Sequence, residues 1–240
     1  MVLELCFLLI VNVQPVAYSI EKPAIMQNRL RADQVALLEK LNRADRRHLA
    51  RQRELVVPSR WDLDELEYSP LPIDYPWAER YGKVLVVHVP SQVFGAYENG
   101  RLTRWGPVST GKASTQTPAG LYRLNWKSEG RHSSVNPSWY MPWYFNFHAR
   151  VGMALHQYSL PGHPASHACV RMLERDARWL YAWGEEWRKG EDGELIEHGT
   201  PVLILGHYPF GEKPVWRSKE WLGKRIALPA RPFSELTEWT

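Results

Sequence analysis

Lys83-Val84-Leu85-Val86-Val87-His88-Val89 is a β-branched run whose centre, Val84 to Val87, is unbroken aliphatic. Such side chains pack well on a pleated surface, and an apolar run without alternation suits a strand covered on both faces. Working outward, Val93 to Glu98 reads as a second strand. Asn99-Gly100 then supplies a two-residue hairpin turn, because both residues tolerate positive φ. Arg101 to Ser109 returns as the third strand, and Pro118-Ala119-Gly120 turns the chain into Leu121 to Trp126. Residues 127 to 140, with Gly130, Ser133, Ser134 and Pro137, read as a polar loop or flap. Phe147 to His156 ends in another apolar strand, and Gly199 to Leu205 closes the set. Glu174 to Trp187 has helical spacing, with Ala177, Leu180 and Tyr181 on one face. Short strands, short turns and few helices predict a mainly β domain, a sandwich or barrel, over residues 81–208.

The chemistry concentrates in Ser166-His167-Ala168-Cys169-Val170-Arg171-Met172. His156 stands upstream, separated by a loop-forming run from Gln157 to Ala165. A thiol near imidazoles is the minimum set for a nucleophilic cysteine: imidazole takes the proton, thiolate attacks a carbonyl, and a thioester divides the acyl transfer into two steps. Two other readings compete. The cysteine is a small buried apolar residue, or it joins the histidines around zinc. Neither explains the arginine two positions after the thiol. His132, His148, His163, His198 and His207 lack ligand spacing.

Ser166 to Met172 resembles the active-site signature of the L,D-transpeptidases (YkuD-type catalytic domain), Ser/Thr-His-Gly-Cys-hydrophobic-Arg. Met153-Ala154-Leu155-His156, Leu160 to Ala165, Met141-Pro142-Trp143, Ser109-Thr110-Gly111-Lys112 and Thr117-Pro118-Ala119-Gly120 are also similar to segments of that family, and in the same order. The resemblance implies a YkuD-like β-sandwich with short flanking helices and a helical N-terminal arm. It implies Cys169 as nucleophile and His156 as proton acceptor. His167, two residues from the thiol, faces the same way if the segment is extended, and is read as a second contributor. Arg171 suits an acidic stem peptide, because guanidinium forks onto carboxylate. Ser166, Ala168 and Gln157 complete the expected substrate-binding set: Ser166 fixing the loop, the N–H groups of Ala168 and Cys169 facing the oxyanion. Two residues depart from the pattern. Ala168 stands where the family has glycine, at a cost if positive φ is needed there. Gln157 stands where glycine or serine commonly follows the first histidine. A helix beginning just past Cys169 is expected to favour the thiolate. The implied reaction is cleavage of an L,D peptide bond in a peptidoglycan tetrapeptide stem, release of D-alanine and transfer to an amine of a second stem, giving a 3→3 cross-link. No metal or nucleotide cofactor is implied. Water as acceptor, giving a carboxypeptidase or endopeptidase, and a non-catalytic wall binder are the alternatives.

At 240 residues, 44% hydrophobic and 23% charged, the chain is long enough for one large domain with appendages. Its twelve tryptophans serve packing for the most part. The apolar run Met1 to Val13 is too short to span a bilayer, which takes about 20 residues. It fits a signal-peptide core with a small-residue site at Ala17-Tyr18-Ser19, although Glu4 interrupts it and no basic residue precedes it. Export to the periplasm or cell envelope is therefore expected. Removal of residues 1–19 would discard Cys6 and leave Cys169 as the one thiol. The net charge of +4 is a mild excess, compatible with an anionic wall and giving no reason to invoke nucleic acid. Residues 20–58 read as a helical arm with Leu37, Leu38 and Leu41 on one face. Leu41-Asn42 and Glu54 to Pro58 resemble the second half of a LysM wall-binding module, its first half missing. Residues 59–80, rich in proline and acidic residues, read as a linker, and 209–240 as a tail.

Overall fold

The computed structural model describes residues 16–27 and 29–233. The expected signal-peptide core lies outside them. The chain enters through β1 (Tyr18–Glu21), α1 (Ala32–Asn42), a single turn α2 (Arg46–Leu49) and β2 (Leu55–Pro58). β1 and β2 pair antiparallel, Tyr18 opposite Pro58 and Glu21 opposite Leu55. The arm is thus a β–α–α–β unit, not a purely helical one. A cleavage after Ser19 would cut through the strand at 18–21. Asn42 clamps the unit. Its buried amide donates to the carbonyls of Leu38 and Val56 and accepts from the Val56 N–H at 2.7 Å.

The expected linker is also structured. Two 3-10 turns, Glu65–Tyr68 and Pro76–Tyr81, bury Tyr68 and Trp77 in the main core, and Leu71 and Tyr75 between them are buried there too. Large aromatic side chains outweigh the proline content here, because burying each one stabilises by roughly 1.5–3 kcal/mol.

The mainly β architecture is present, and one curled sheet provides both layers. Its strands are β3 (Lys83–His88), β4 (Val93–Glu98), β5 (Arg101–Ser109), β6 (Gly120–Arg123), β7 (Lys127–His132), β8 (Tyr140–His148), β9 (Met153–Gln157), β10 (Val170–Met172) and β13 (Pro201–Leu205). A separate small ribbon joins β11 (Arg188–Lys189) to β12 (Leu195–Glu197), and α3 is Glu174–Trp183. The sheet order is β6-β13-β3-β4-β5-β10-β9-β8-β7. β3 lies between antiparallel β4 and parallel β13, so Val84 to Val87 are fully buried, as the unbroken apolar run requires. Asn99 and Gly100 both have positive φ in the β4–β5 turn. At the far end the sheet curls back on itself: the Asn125 N–H reaches the Asn146 carbonyl at 2.8 Å, and the two buried side-chain amides bond at 2.8 Å.

Two boundaries differ from the sequence reading. The expected flap at 127–140 divides in two: residues 127–132 are the strand β7, paired with β8, and residues 133–139 form a loop. The single strand expected from Phe147 to His156 is two strands, since His148 ends β8 and Gly152 turns with φ +74° into β9. No helix among the described residues is long and apolar enough to cross a membrane.

Candidate active site

β9 and β10 run parallel, with Leu155 opposite Val170, His156 opposite Arg171 and Gln157 opposite Met172. Alternation along each strand decides what faces where. Leu155, Val170 and Met172 enter the core. His156 and Arg171 take the other face and line a cavity of about 540 Å³. Cys169, His167, Ala168 and Ser166 line the same cavity. Gln157 does not. It lies on the face of β9 away from His156 and lines the neighbouring groove with Arg175 and Arg178. The expectation that it contacts substrate beside the thiol is corrected accordingly.

His156 is buried, and its Nδ1 lies 3.0 Å from the Gln157 carbonyl. A carbonyl only accepts, so Nδ1 carries the hydrogen and Nε2 holds the lone pair. Burial, and then the Arg171 charge, lower this imidazole to about 4. It is neutral at pH 7 and free to take a proton on Nε2.

Cys169 is half-buried among Trp126, Met141, Tyr144 and Ala154, with Sγ 4.0 Å from the Gly152 carbonyl. Burial raises the thiol above its ordinary value, and the Ala154 N–H and the Arg171 charge only partly offset this. Among the described residues no hydrogen bond joins the sulfur to either imidazole. The resting pair is neutral thiol and neutral imidazole. The expected helix does not begin at the thiol: β10 intervenes and α3 starts at Glu174, so no helix N-terminus supports the thiolate.

The loop before the thiol is held from both sides. The Ala165 and Ser166 N–H groups donate to the Thr110 carbonyl, and the Lys112 N–H donates to Ser166. Thr117 accepts from the Gly111 N–H through Oγ1 and donates to the Ala168 carbonyl at 2.9 Å. The Ser166 hydroxyl donates to the Cys169 carbonyl. These contacts hold Ala168 at φ +77°, the left-handed region where a Cβ is penalised. The segment is therefore bent, not extended. His167 does reach the cavity, but by way of this bend.

His167 is exposed and fixed by neighbours the sequence reading gave no role. Its ring tilts over Trp139 with centroids 4.9 Å apart. Its Nε2 lies 3.0 Å from the Lys112 ammonium, which can only donate, so Nδ1 carries the hydrogen. Partial desolvation first, then Lys112 and Arg171, lower its pKa. Lys112 was visible in Ser109 to Lys112, whereas nothing in the polar stretch around Trp139 marked it out.

Arg171 lies over the Tyr158 ring, 4.6 Å from its centroid, and has no ion pair among the described residues. Arg131 and Arg150 also line the cavity, and among the described residues no carboxylate does. Cys169, His156 and His167 do not form a metal-binding group. Among the described residues no cluster of three or more His, Cys, Asp or Glu suited to a metal is present.

Residues 82–204 match the family model described as the L,D-transpeptidase catalytic domain, YkuD. The chain belongs to the YkuD family. Its sheet is likewise similar to solved structures. An L,D-transpeptidase from Stackebrandtia nassauensis shares 25% identity over 53% of this chain and 57% of its own, with a TM-score of 0.43. An L,D-transpeptidase from Mycobacterium smegmatis shares 17% over 52% and 59%, with a TM-score of 0.42. L,D-transpeptidase 3 from Mycobacterium tuberculosis shares 17% over 52% and 61%, with a TM-score of 0.40. The chain thus spans under two thirds of each. No curated protein matches the sequence.

Proposed function

We propose that the protein is a peptidoglycan L,D-transpeptidase, exported to the cell envelope where that substrate lies. One observation carries the reading. Among the described residues, a thiol, an imidazole with a free Nε2 and the Arg171 guanidinium, which has no ion pair, line one cavity that holds three arginines and no carboxylate. Such a cavity favours an anionic peptide.

His156 Nε2 takes the Cys169 proton as the sulfur attacks the carbonyl on the L side of an L,D peptide bond. Charge develops on that carbonyl oxygen, and the N–H groups of Ala168 and Cys169, set by the bend, are the donors for it. Collapse breaks the C–N bond. The imidazolium returns its proton to the departing D-alanine amine, leaving a thioester on the sulfur. The amine of a second stem then attacks, His156 accepts its proton, and the thiol is regenerated as the 3→3 bond forms. Arg171 anchors a stem carboxylate, and His167 lines the approach, its pKa lowered by partial desolvation and then by the Lys112 and Arg171 charges.

The test is mass spectrometry of muropeptides after incubating the purified protein with tetrapeptide stems. Cross-linked dimers with free D-alanine support transfer. Shortened stems without dimers would show water as the acceptor. Unchanged stems from a folded protein would reject catalysis.

A further inference from the structure

A second cavity, of about 210 Å³, lies almost wholly outside the catalytic sheet. Three separate stretches enclose it: the β–α–α–β unit (Tyr18, Leu41, Arg43, Val56), the turn at 67–70 and the tail at 215–226. The tail is held in place. The Ile226 N–H donates to the Pro70 carbonyl at 2.6 Å, and Arg225 Nη1 donates to the Leu71 carbonyl at 3.1 Å.

Arg43 is the unusual element of this wall. Its side chain is 3% exposed, yet no carboxylate pairs with it among the described residues. Nε donates to the Ser91 carbonyl at 2.8 Å, and Nη1 donates to the carbonyls of Lys40 and Leu41. Nη2 has no partner among the described residues. The guanidinium lies over the Trp216 ring, 5.3 Å from its centroid, and the buried Trp216 Nε1 also lacks an acceptor. A buried charge without a counter-ion is costly. Glu67, the one acidic residue in the wall, is engaged by Arg225 at 3.4 Å, and Lys224 adds further positive charge. The unpaired Arg43 Nη2 is a donor, and the remaining wall is largely aromatic and aliphatic.

We propose that this cavity is a binding site for a small monocarboxylate with an apolar body, its carboxylate on Arg43 and its hydrocarbon against Trp216, Trp221 and Leu222. Size and chemistry set the class. An apolar cavity of roughly 150 Å³ takes up benzene, so this one accommodates a body of about six carbons. A strongly hydrated dianion such as phosphate gains nothing from the aromatic wall. The site does not depend on the catalytic reading, since only Ser91 of its lining comes from residues 82–204.

The test titrates the full-length protein with hexanoate, hexanamide and inorganic phosphate, read by calorimetry and by thermal shift. Hexanoate is expected to bind saturably and roughly ten-fold more tightly than hexanamide, the discrimination a charged hydrogen bond provides. Phosphate is expected to give no shift. Arg43→Met should erase the difference between acid and amide. Leu222→Trp, which fills the cavity and leaves Arg43 in place, should abolish both and decides the matter if Arg43→Met does not fold. Equal binding of acid and amide, no binding of hexanoate, or binding that survives Leu222→Trp would overturn the proposal.

Discussion

Acidification should destabilise this protein through two desolvated imidazoles, the buried His156 and the partly exposed His88, and His156→Gln isolates the one in the site. His156 and His88 are both lowered to about 4 by burial first; Arg171 assists at His156 and Arg43 at His88. His88 Nδ1 is buried without a hydrogen-bond partner. In the unfolded chain each imidazole titrates near 6.5. Between about 6.5 and about 4 the unfolded state therefore binds more protons, and stability rises with pH. The contribution is complete above 6.5 and disappears as pH falls through about 4. At pH 4.5 each site has lost about 2–3 kcal/mol, so the pair has lost roughly 4–6 kcal/mol relative to pH 7. That is a large part of the roughly 5–15 kcal/mol that holds a typical domain folded. Urea unfolding followed by tryptophan fluorescence, at pH 7 and pH 4.5, measures the drop. In His156→Gln, whose amide can still donate to the Gln157 carbonyl, the drop should shrink by about 2–3 kcal/mol. Carboxylates titrate alike in both proteins and cancel. An equal drop in the two proteins would show that this imidazole is not held neutral by burial.

Arg171→Met should raise KM for stems ending in a carboxylate by roughly ten- to a hundred-fold, as expected for loss of a charged hydrogen-bonded pair, with kcat changed less; steady-state kinetics decide. Ala168→Gly removes a left-handed penalty of about 1–2 kcal/mol but adds about 0.5–1 kcal/mol of chain entropy. The net should be a small rise in Tm on a calorimetric scan, and a fall would mean the bend is not strained. Asn42→Ala leaves the Val56 N–H and the carbonyls of Leu38 and Val56 without their shared partner. It should cost about 1–3 kcal/mol or more by chemical denaturation. Alkylation of Cys169 by iodoacetamide should accelerate with pH to above pH 9, with no plateau near neutrality, because burial raises the thiol.

Much of the catalytic sheet was legible because its signals are local. The run at 83–89, the Asn99-Gly100 turn and the strand at 101–109 each declare themselves through residue type and alternation. The thiol, His167 and Arg171 were legible for the same reason, being clustered in Ser166–Met172, and His156 was legible through the separate segment Met153–His156 that resembles the family. What failed was what depends on distant partners. The prolines at 70, 72 and 76 suggested a linker, but Tyr68, Tyr75 and Trp77 find a core supplied by strands further along the chain. β1 reads as polar alternation and becomes a strand only because Leu55–Pro58 pairs with it. Gln157 was placed in the site by its neighbour His156, yet strand alternation sends it to the opposite face. Trp139 carries no motif, and it meets His167 only because β7 and β8 bring their connecting loop over the cavity.

The most direct test of the acyl-transfer account is intact-mass measurement of the folded protein after exposure to a carbapenem, with Cys169→Ala alongside. The account predicts one covalent adduct on the native chain, located at Cys169, and none on the variant. An unmodified native protein, or an adduct that persists when the sulfur is gone, would contradict it.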